Sequence, residues 1–349
     1  MRRVKLVISG FGNVGRALTR LILNKKEEVA RRYGIIPTVL AVIDSRGAAV
    51  NINGFSDEEL MKLLNTPRGG VSKVEYYGKP GLTTIEVLNE VDADMLVEAT
   101  PTDYVTGAPG VENTFFAIDR GIHVVLANKA PLALRFREVM KKARAKNVMI
   151  GYKATVMAGT PLVDMLRYGL IAQRVRKIEG ILNGSTNYIL TEMHKHRITL
   201  EEAMRRAQEL GILEADPTLD IDGWDPAAKI VIVVNTIFNA NYTVNDVERI
   251  SLREVSLNDI EKALSRGGVV KYLAIASVHD EEIMMSVKPI LIDKTHELAH
   301  VNGTYNGVLI ETDVNRIFLS GKGAGPKETA SVMLSDIIQI ADTSLRYMV

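Results

Sequence analysis

A glycine-rich segment near the start of the chain constrains the fold more than any other feature. It follows the short apolar stretch 4–8 and precedes apolar side chains that recur at helical spacing as far as Ile22. The segment reads Gly10, Phe11, Gly12, Asn13, Val14 and Gly15. A G-x-G-x-x-G between a strand and a helix is the dinucleotide fingerprint, because its glycines turn the chain, admit the pyrophosphate and let the helix pack on the strand. The sequence therefore predicts an α/β, Rossmann-type nucleotide-binding domain in which these six residues line the cofactor site.

The end of the second predicted strand bears on which dinucleotide binds. The strand Thr38 to Ile43 is followed by Asp44, where such folds place an acid for the ribose 2′-hydroxyl of NAD. Ser45 and Arg46 come next and can hold the 2′-phosphate of NADP, with Lys62 as a distant helper. Arg46 can equally be a solvated loop residue. The sequence thus predicts NADP or NAD as the cofactor without choosing between them.

Two later strands also carry polar residues at their carboxyl ends. The predicted strand 94–99 is followed by Thr100, and the predicted strand 123–126 is followed three residues later by Lys129. Loops at the carboxyl ends of a doubly wound sheet face the ligand. We therefore expect Thr100 to contact the cofactor, unless it only caps a turn, and Lys129 to point toward the nicotinamide. The first domain is predicted to span residues 1–150.

The pattern of elements changes after residue 150 and predicts an α+β domain over residues 151–320. Its elements are strands near 175–183, 269–279, 283–290 and 305–312, and helices near 185–195, 199–210 and 257–266. A glycine-rich loop, Ser320 to Pro326, then leads into a last helix, 327–342. This order suggests that residues 321–349 rejoin the first domain and that the loop approaches the cofactor, although a hinge is the alternative interpretation.

The stretch from Gly211 to Lys229 is the strongest candidate for chemistry. It contains five acids, Glu214, Asp216, Asp220, Asp222 and Asp225. The pattern predicts Asp225 as an N-cap, with Pro226 at the first helical position. Asp225 and Lys229 are then one helical turn apart on the same face, and a lysine held by a carboxylate can transfer a proton. Solvated surface, a loose divalent-ion loop or a plain cap are the alternatives.

Composition excludes several functional classes. The 349 residues include 43 basic and 42 acidic side chains, so no field of one sign indicates nucleic acid or a membrane surface. Cysteine is absent, which excludes disulfides, thiolate metal sites and cysteine nucleophiles. The six histidines do not cluster, and no metal-ligand spacing is present. The longest apolar run is too short to span a bilayer and the N-terminus does not resemble a signal peptide, so a cytoplasmic location is predicted.

The motifs together resemble those of homoserine dehydrogenases, from Gly10 to Thr329. The most specific strings are N-G-S-T-N-Y-I-L and E-A-D-P-T-L-D-I-D-G-W-D-P-A-A-K, and the others are A-N-K-A-P, A-T-V-M-A-G-T-P-L and G-K-G-A-G-P-K-E-T-A. The resemblance implies NAD(P)-linked interconversion of L-homoserine and L-aspartate 4-semialdehyde, in threonine and methionine biosynthesis. It also implies a homodimer formed through the sheet of the substrate domain. Because the chain ends soon after the last helix, a short form without a C-terminal regulatory domain is expected.

The resemblance further implies roles for individual residues. Lys229 corresponds to the catalytic acid/base and Asp225 to its partner and a substrate ligand. Glu214 corresponds to the group that receives the substrate's amino group, and Lys129 to a cofactor or substrate ligand that can share the acid/base role. Further substrate contacts are expected from Asp220, Gly184 and Ser185, and further cofactor contacts from Thr100 and Gly323.

Alternatives remain at this stage. They are another NAD(P)-linked amino-acid dehydrogenase, a dihydrodipicolinate-type reductase, or a non-catalytic nucleotide-binding protein. The chain also departs from its relatives at Lys153, where they commonly carry a glutamate that helps to hold a monovalent cation. Because an ammonium cannot ligate a cation, we expect no metal here, with Lys153 either bound to loop carbonyls or turned to solvent.

Overall fold

The protein is described by a computed structural model, which covers residues 1–280 and 282–342. The chain divides into two compact units, Met1–Thr155 together with Gly325–Val349, and Val156–Ala324. The functions assigned above to the two predicted domains, with boundaries at residues 150 and 320, stay predictions. Among the described residues, no helix has the length and apolar character that crossing a membrane requires.

A seven-stranded sheet organises the first unit. Its strands are β1 (Arg2–Ser9), β2 (Ile35–Asp44), β3 (Gly47–Val50), β4 (Gly78–Pro80), β5 (Met95–Glu98), β6 (His123–Leu126) and β7 (Ile150–Gly151). They lie in the order β4-β3-β2-β1-β5-β6-β7. Strands β2, β1, β5, β6 and β7 pair in parallel, while β3 and β4 add an antiparallel edge. The strand order reverses at β1, which is where doubly wound folds bind their ligands.

The described part of this unit contains six α-helices. They are α1 (Asn13–Tyr33), α2 (Asp57–Leu64), α3 (Thr84–Glu90), α4 (Gly110–Asp119), α5 (Ala130–Ala145) and α12 (Pro326–Ala341). The last helix belongs to the same hydrophobic core as β1 and α1, where Met333 and Ile337 are fully buried. Burial of large apolar side chains on α12 thus holds this helix in the core of the first unit.

The second unit is built on a six-stranded sheet. Its strands are β8 (Val175–Ile181), β9 (Glu248–Arg249), β10 (Gly268–His279), β11 (Glu282–Asp293), β12 (Tyr305–Thr312) and β13 (Arg316–Lys322). They lie in the order β13-β12-β8-β10-β11-β9, and every pair except β11 with β9 is antiparallel. Its helices are α6 (Leu162–Asp164), α7 (Gly184–His196), α8 (Leu200–Glu209), α9 (Thr218–Ile221), α10 (Trp224–Phe238) and α11 (Leu257–Ser265).

The α/β fold class predicted from the sequence is confirmed, but one segment was predicted wrongly. Residues 320–322 were assigned to a glycine-rich loop, and they belong instead to strand β13. Gly321 pairs with Asn306, and a Cβ there would collide with the Thr160 hydroxyl. The glycine therefore serves close packing within a strand, whereas the sequence pattern alone indicated a turn.

Candidate active site

The start of α10 carries a buried ion pair. Lys229 is only 6 % exposed. Its Nζ donates to Asp225 Oδ2 at 2.7 Å and to the carbonyl oxygen of Leu182 at 2.6 Å. Asp225 precedes Lys229 by one turn, so the helix itself aligns carboxylate and ammonium. The arrangement holds a charged lysine in a site that excludes most water.

The prediction that Asp225 caps this helix is wrong. Helix α10 begins at Trp224, and its cap residue is Gly223, with φ of 81°. A glycine is needed there because the left-handed conformation disfavours a side chain, and a Cβ would lie 2.6 Å from the Tyr272 hydroxyl. Since Asp225 lies inside the first turn, its carboxylate is directed to Lys229 instead of capping the helix.

Asn183 joins two of the five acids. Its Nδ2 donates to Asp220 Oδ1 at 2.6 Å and to Asp225 Oδ2 at 2.9 Å, while its Oδ1 caps α7 at the N–H of Thr186. Sequence reasoning did not assign Asn183 a role, although it opens the N-G-S-T-N string. Its position directly before Gly184 was the signal available.

The two carboxylates lie close enough to influence each other's ionisation. Burial and the nearby charge of Asp225 raise the pKa of Asp220, and the amide of Asn183 and the ammonium of Lys229 oppose that rise. One lysine thus faces two carboxyl groups. A site with this charge balance can accept a second cationic group, such as the ammonium of an amino acid.

Two of the other three acids bind neighbouring groups, and the third is exposed. Asp216 accepts from the N–H and hydroxyl of Thr218, and Asp222 accepts from the hydroxyl of Ser251 at 2.6 Å. Glu214 is exposed. In the part of the chain that the structure describes, no group of three or more histidine, cysteine or acidic side chains is arranged to hold a metal ion. The stretch therefore brings Asp220 and Asp225 together and leaves the remaining acids apart.

The predicted substrate turn lies at the N-terminus of α7. Gly184 is the first residue of this helix, and a Cβ there would lie 2.8 Å from the carbonyl oxygen of Thr304. The hydroxyl of Ser185 donates to the carbonyl oxygen of Ile212 at 2.9 Å. Backbone N–H groups in the first turn of a helix lack intrahelical partners and attract anions.

In the first unit, the geometry of the fingerprint fits a dinucleotide. A side chain at Gly10 would collide with the backbone of Ala99 and Thr100, and one at Gly15 would collide with the carbonyl of Gly10. A side chain at Gly12 would meet nothing within 4 Å, so the backbone is open on the side where the pyrophosphate would bind. Each glycine thus has the role that the fingerprint requires.

The other fingerprint residues differ in what they can offer. The ring of Phe11 is 2 % exposed and lies 4.7 Å from the Arg16 guanidinium, and its backbone N–H donates to the carbonyl oxygen of Ile43 at 2.8 Å. Asn13 Oδ1 accepts from Arg68 Nη2 at 2.8 Å. Val14 packs partly buried against the core. Arg68 was not identified from the sequence, because it lies 55 positions from the residue that it contacts.

Asp44 is already engaged by the backbone. Its carboxylate oxygens accept from the N–H of Arg46 at 2.9 Å and from the N–H of Val71 at 3.1 Å. The side chain of Arg46 lies against Gly69, because a Cβ there would be 3.0 Å from the Arg46 Cδ. The Arg46 side chain therefore lies against the segment that carries Arg68, and the backbone of the same segment binds Asp44 at Val71.

The turns after β5 and β6 are tied together by hydrogen bonds. The hydroxyl of Thr100 accepts from Asn128 Nδ2 at 3.0 Å, and the N–H of Lys129 donates to the Thr102 hydroxyl at 3.3 Å. Behind them the buried Glu98 accepts from the N–H of Thr100 at 2.9 Å. Glu98 and Asn128 were not identified from the sequence. Lys129 itself is half-buried.

Gly323 and Lys153, for which the sequence also predicted roles, both lie against buried side chains. Gly323 lies directly against the fully buried side chain of Asn306, with which any Cβ would collide. The side chain of Lys153 is 15 % exposed, and its Nζ lies 3.7 Å from Asp336 Oδ1. The backbone N–H of Lys153 donates to the other oxygen of this carboxylate at 3.0 Å. The expectation that Lys153 turns to solvent is therefore wrong, because a buried acid on α12 attracts its ammonium.

A glycine fingerprint on a doubly wound sheet and a buried lysine–carboxylate pair define the class of nucleotide-dependent dehydrogenases. The family model of homoserine dehydrogenase matches residues 161–338. The model of glutamate, leucine, phenylalanine and valine dehydrogenases matches residues 1–113, which contain the fingerprint but none of the second unit.

Full-length relatives agree with the first of these models. The chain is 36 % identical over 342 residues to the homoserine dehydrogenase of Methanocaldococcus jannaschii, covering 97 % of this chain and 99 % of the relative. It is 36 % identical over 354 residues to the NAD(+)-dependent homoserine dehydrogenase of Pseudomonas canavaninivorans, covering 99 % and 98 %. The chain belongs to the homoserine dehydrogenase family.

Solved structures give the same answer. A homoserine dehydrogenase from Thiobacillus denitrificans superposes with a TM-score of 0.84 at 29 % identity, covering 99 % of this chain and 75 % of that one. A hyperthermophilic archaeal homoserine dehydrogenase in complex with NADPH gives a TM-score of 0.81 at 32 % identity, covering 97 % and 98 %. The predicted family, the enzyme class of NAD(P)-dependent oxidoreductases and the prediction of NAD or NADP as cofactor are confirmed.

Proposed function

We propose that this protein catalyses the reversible, NAD(P)-dependent interconversion of L-homoserine and L-aspartate 4-semialdehyde. The single observation that carries the proposal is the buried Lys229–Asp225 pair, joined through Asn183 to Asp220 in a chain of this family. When bound, the nicotinamide supplies a hydride to the aldehyde carbon or accepts one from the alcohol carbon. The reaction belongs to threonine and methionine biosynthesis, and we propose a cytoplasmic location.

Lys229 is the acid/base group. Two of its three N–H donors are used within the described residues, by Asp225 and by the Leu182 carbonyl, which leaves one for the oxygen of the substrate. In reduction this ammonium gives its proton to the oxygen as the hydride arrives at carbon, and in oxidation the neutral amine takes the proton back. Asp225 holds the lysine in place. Lys129 orients the cofactor or substrate, and it is the second candidate for the acid/base group.

The substrate is held by groups of opposite charge. Asp220 and Asp225 lie on one side of Asn183 and suit an ammonium group, and the exposed Glu214 receives the amino group from the solvent side. The backbone N–H groups of Gly184 and Ser185, in the first turn of α7, suit the substrate carboxylate. These groups together recognise a zwitterion.

In the nucleotide-binding unit we propose NADP as the preferred cofactor. The fingerprint residues, Asp44, Thr100 and Lys129 line the site, and the cofactor contact of Gly323, a residue of the second unit, stays a prediction. Both oxygens of Asp44 already accept backbone N–H groups, whereas Arg46 and Arg68 offer guanidinium groups beside the ribose position. Guanidinium groups bind phosphate with paired hydrogen bonds. Replacing Arg68 by alanine should therefore weaken NADP more than NAD.

A homodimer formed through the sheet of the second unit is part of the proposal. Strand pairing places Met284, Tyr305 and Phe318 on one face of this sheet, and they are 57 %, 49 % and 42 % exposed. A second copy covering this face would bury these side chains in a self-complementary interface. Phe318→Glu should convert a dimer to monomers in sedimentation analysis. A wild-type monomer at assay concentration would refute this part of the proposal.

The experiment that tests the function is a direct assay. Purified protein is incubated with L-homoserine and either NAD or NADP, and formation of the reduced nicotinamide is followed by its near-ultraviolet absorbance. We expect turnover, with a higher kcat/KM for NADP. Turnover only with another amino acid would assign a different dehydrogenase activity, and cofactor binding without turnover of any plausible substrate would indicate a non-catalytic protein.

A further inference from the structure

One buried acid in the first unit takes no part in the proposed proton transfer. Glu98 is the last residue of β5 and is 0 % exposed. Among the described residues it has no cationic partner, and the donors that contact its side chain are the neutral groups of Thr100, Asn113 and Ser9. Burial of a carboxyl without a counter-charge is costly, so its presence calls for a function.

The hydrogen bonds to this carboxyl favour its ionised form. Oε1 accepts from the N–H of Thr100 at 2.9 Å and from the Thr100 hydroxyl, and Oε2 accepts from Asn113 Nδ2 at 2.8 Å. The Thr100 hydroxyl also accepts from Asn128 Nδ2, so its own hydrogen is directed to Glu98. A protonated carboxyl would set an O–H against one of these donors. Burial raises the pKa of Glu98, and these donors oppose the rise.

The strand order shows on which side of the fingerprint strand Glu98 lies. The fingerprint follows β1, and Asp44 ends β2 on one side of that strand. Glu98 ends β5, which pairs with β1 on the other side. In doubly wound sheets the adenosine half and the nicotinamide half lie on opposite sides of the fingerprint strand. Glu98 therefore lies on the side of the fingerprint strand where such folds place the nicotinamide half.

The same group also sets the shape of the turns above it. Besides its contacts with Thr100, Glu98 accepts through its backbone oxygen from the N–H groups of Ala127 and Asn128, at 2.9 and 3.2 Å. The backbone at Thr100 is in turn in close contact with Gly10 of the fingerprint. Glu98 thus connects the three turns that form the floor of the predicted cofactor site. Its charge is held in a fixed position with respect to the ligand.

We infer that Glu98 makes the site favour the oxidised cofactor, because its buried negative charge attracts the cationic ring of NAD(P)+ and not the uncharged ring of NAD(P)H. A fixed charge that water does not screen acts across several ångströms, strongly enough for roughly a tenfold difference in affinity. This inference rests on the nucleotide site of the proposed function. Its consequence is a bound cofactor pair shifted toward the oxidised form, which favours hydride donation to the substrate.

The test is calorimetric titration of the intact protein with NADP+ and, separately, with NADPH. Glu98→Gln removes the charge and keeps the size, and Asn113 can turn its amide to face the new donor. We expect this variant to bind NADP+ roughly tenfold more weakly, with NADPH affinity within about twofold of wild type. Glu112→Gln, an exposed glutamate in the first turn of α4, is the matched control and should change neither affinity.

Equal loss of both affinities in Glu98→Gln would assign Glu98 a purely structural role, and no change in either would remove it from the site; both results overturn the inference. Failure of the wild type to bind either nucleotide would instead overturn the proposed function. If circular dichroism shows that Glu98→Gln does not fold, Asn113→Ala decides the question. It removes one donor to Oε2 and should weaken NADP+ relative to NADPH in the same direction by a smaller factor.

Discussion

Glu98 in the first unit and Lys229 in the second are both buried charged groups, and their surroundings compensate the charge differently. The carboxylate of Glu98 accepts only from neutral donors, so its field is not cancelled locally. The ammonium of Lys229 lies 2.7 Å from the carboxylate of Asp225, so much of its field is cancelled. An uncompensated charge suits long-range stabilisation of a ligand's charge, whereas a compensated lysine suits short-range transfer of a proton.

The largest expected effect comes from removing the compensated cation. Lys229→Ala should lower kcat by roughly 10²-fold or more, the usual contribution of general acid–base catalysis, with a smaller change in the KM for homoserine. Steady-state kinetics in both directions measures this. Lys262→Ala, at an exposed position of α11, is the control and should leave kcat unchanged. A kcat near wild type in Lys229→Ala would transfer the role to Lys129.

Removing the counter-charge instead should reduce stability. Asp225→Asn leaves Lys229 buried beside a neutral amide, and breaking a buried ion pair in this way costs about 3 kcal/mol in the free energy of unfolding. Denaturant unfolding of the wild type and the variant measures the difference. Asp222→Asn is the comparison, because its partner Arg253 is about half exposed. If the free energy of unfolding decreases equally in the two variants, breaking the buried Lys229 pair costs no more than breaking an exposed pair.

Glu214 tests whether an exposed acid acts at the same site. Glu214→Gln should raise the KM for homoserine, because a charge-assisted hydrogen bond to the amino group contributes about 1.5–3 kcal/mol. The affinity for cofactor should stay constant. Parallel measurement of homoserine KM and NADP+ affinity separates the two. If NADP+ affinity falls as the homoserine KM rises, Glu214 is structural and the buried acids alone bind the amino group.

Lys271 extends the comparison, since it is a buried cation whose described contacts are all neutral oxygens, from Asn187, Val301 and Asn302. Burial lowers its pKa from 10.5 to about 8. Between these values the unfolded chain binds more protons than the folded protein, so this group makes the free energy of unfolding rise with pH from about 8 to 10.5. Denaturant unfolding at both ends of this range should show the rise in wild type and its loss in Lys271→Met. Identical slopes would contradict the prediction.

The smallest expected effect concerns Lys153, whose ammonium is compensated by Asp336. Because an ammonium cannot ligate a cation, activity and melting temperature should not differ between sodium, potassium and tetramethylammonium chloride at equal ionic strength. Specific activation by one small cation would show that the site binds metal after all. Lys153→Glu, which replaces the ammonium by a carboxylate that can ligate a cation, should make such a dependence appear.

Local sequence patterns were sufficient for the features that depend on neighbouring residues. The fingerprint could be identified from glycine spacing because Gly10 and Gly15 meet backbone on an adjacent strand or a few residues away, and Gly12 leaves the backbone between them open. Asp225 and Lys229 could be paired because a helix brings positions four apart together. The strand near 269–279 was likewise predicted from the local sequence, and it corresponds to β10. These features can be predicted from the sequence because regular helix and strand geometry fixes which nearby residues come into contact.

Only the tertiary structure revealed the partners that are distant in the chain. Asn183 reaches Asp225 across 42 positions, and Lys153 reaches Asp336 across 183. No periodicity predicts such pairs. The role proposed for Glu98 could not be predicted from the sequence either, because it follows from full burial of the side chain among neutral donors. The cap of α10 could not be predicted from the sequence either, because the turn at Gly223 is packed against Tyr272 of a separate strand. The sequence by itself determined the class of site and its local motifs, whereas packing of distant elements decided which charges are compensated and which remain available to a ligand.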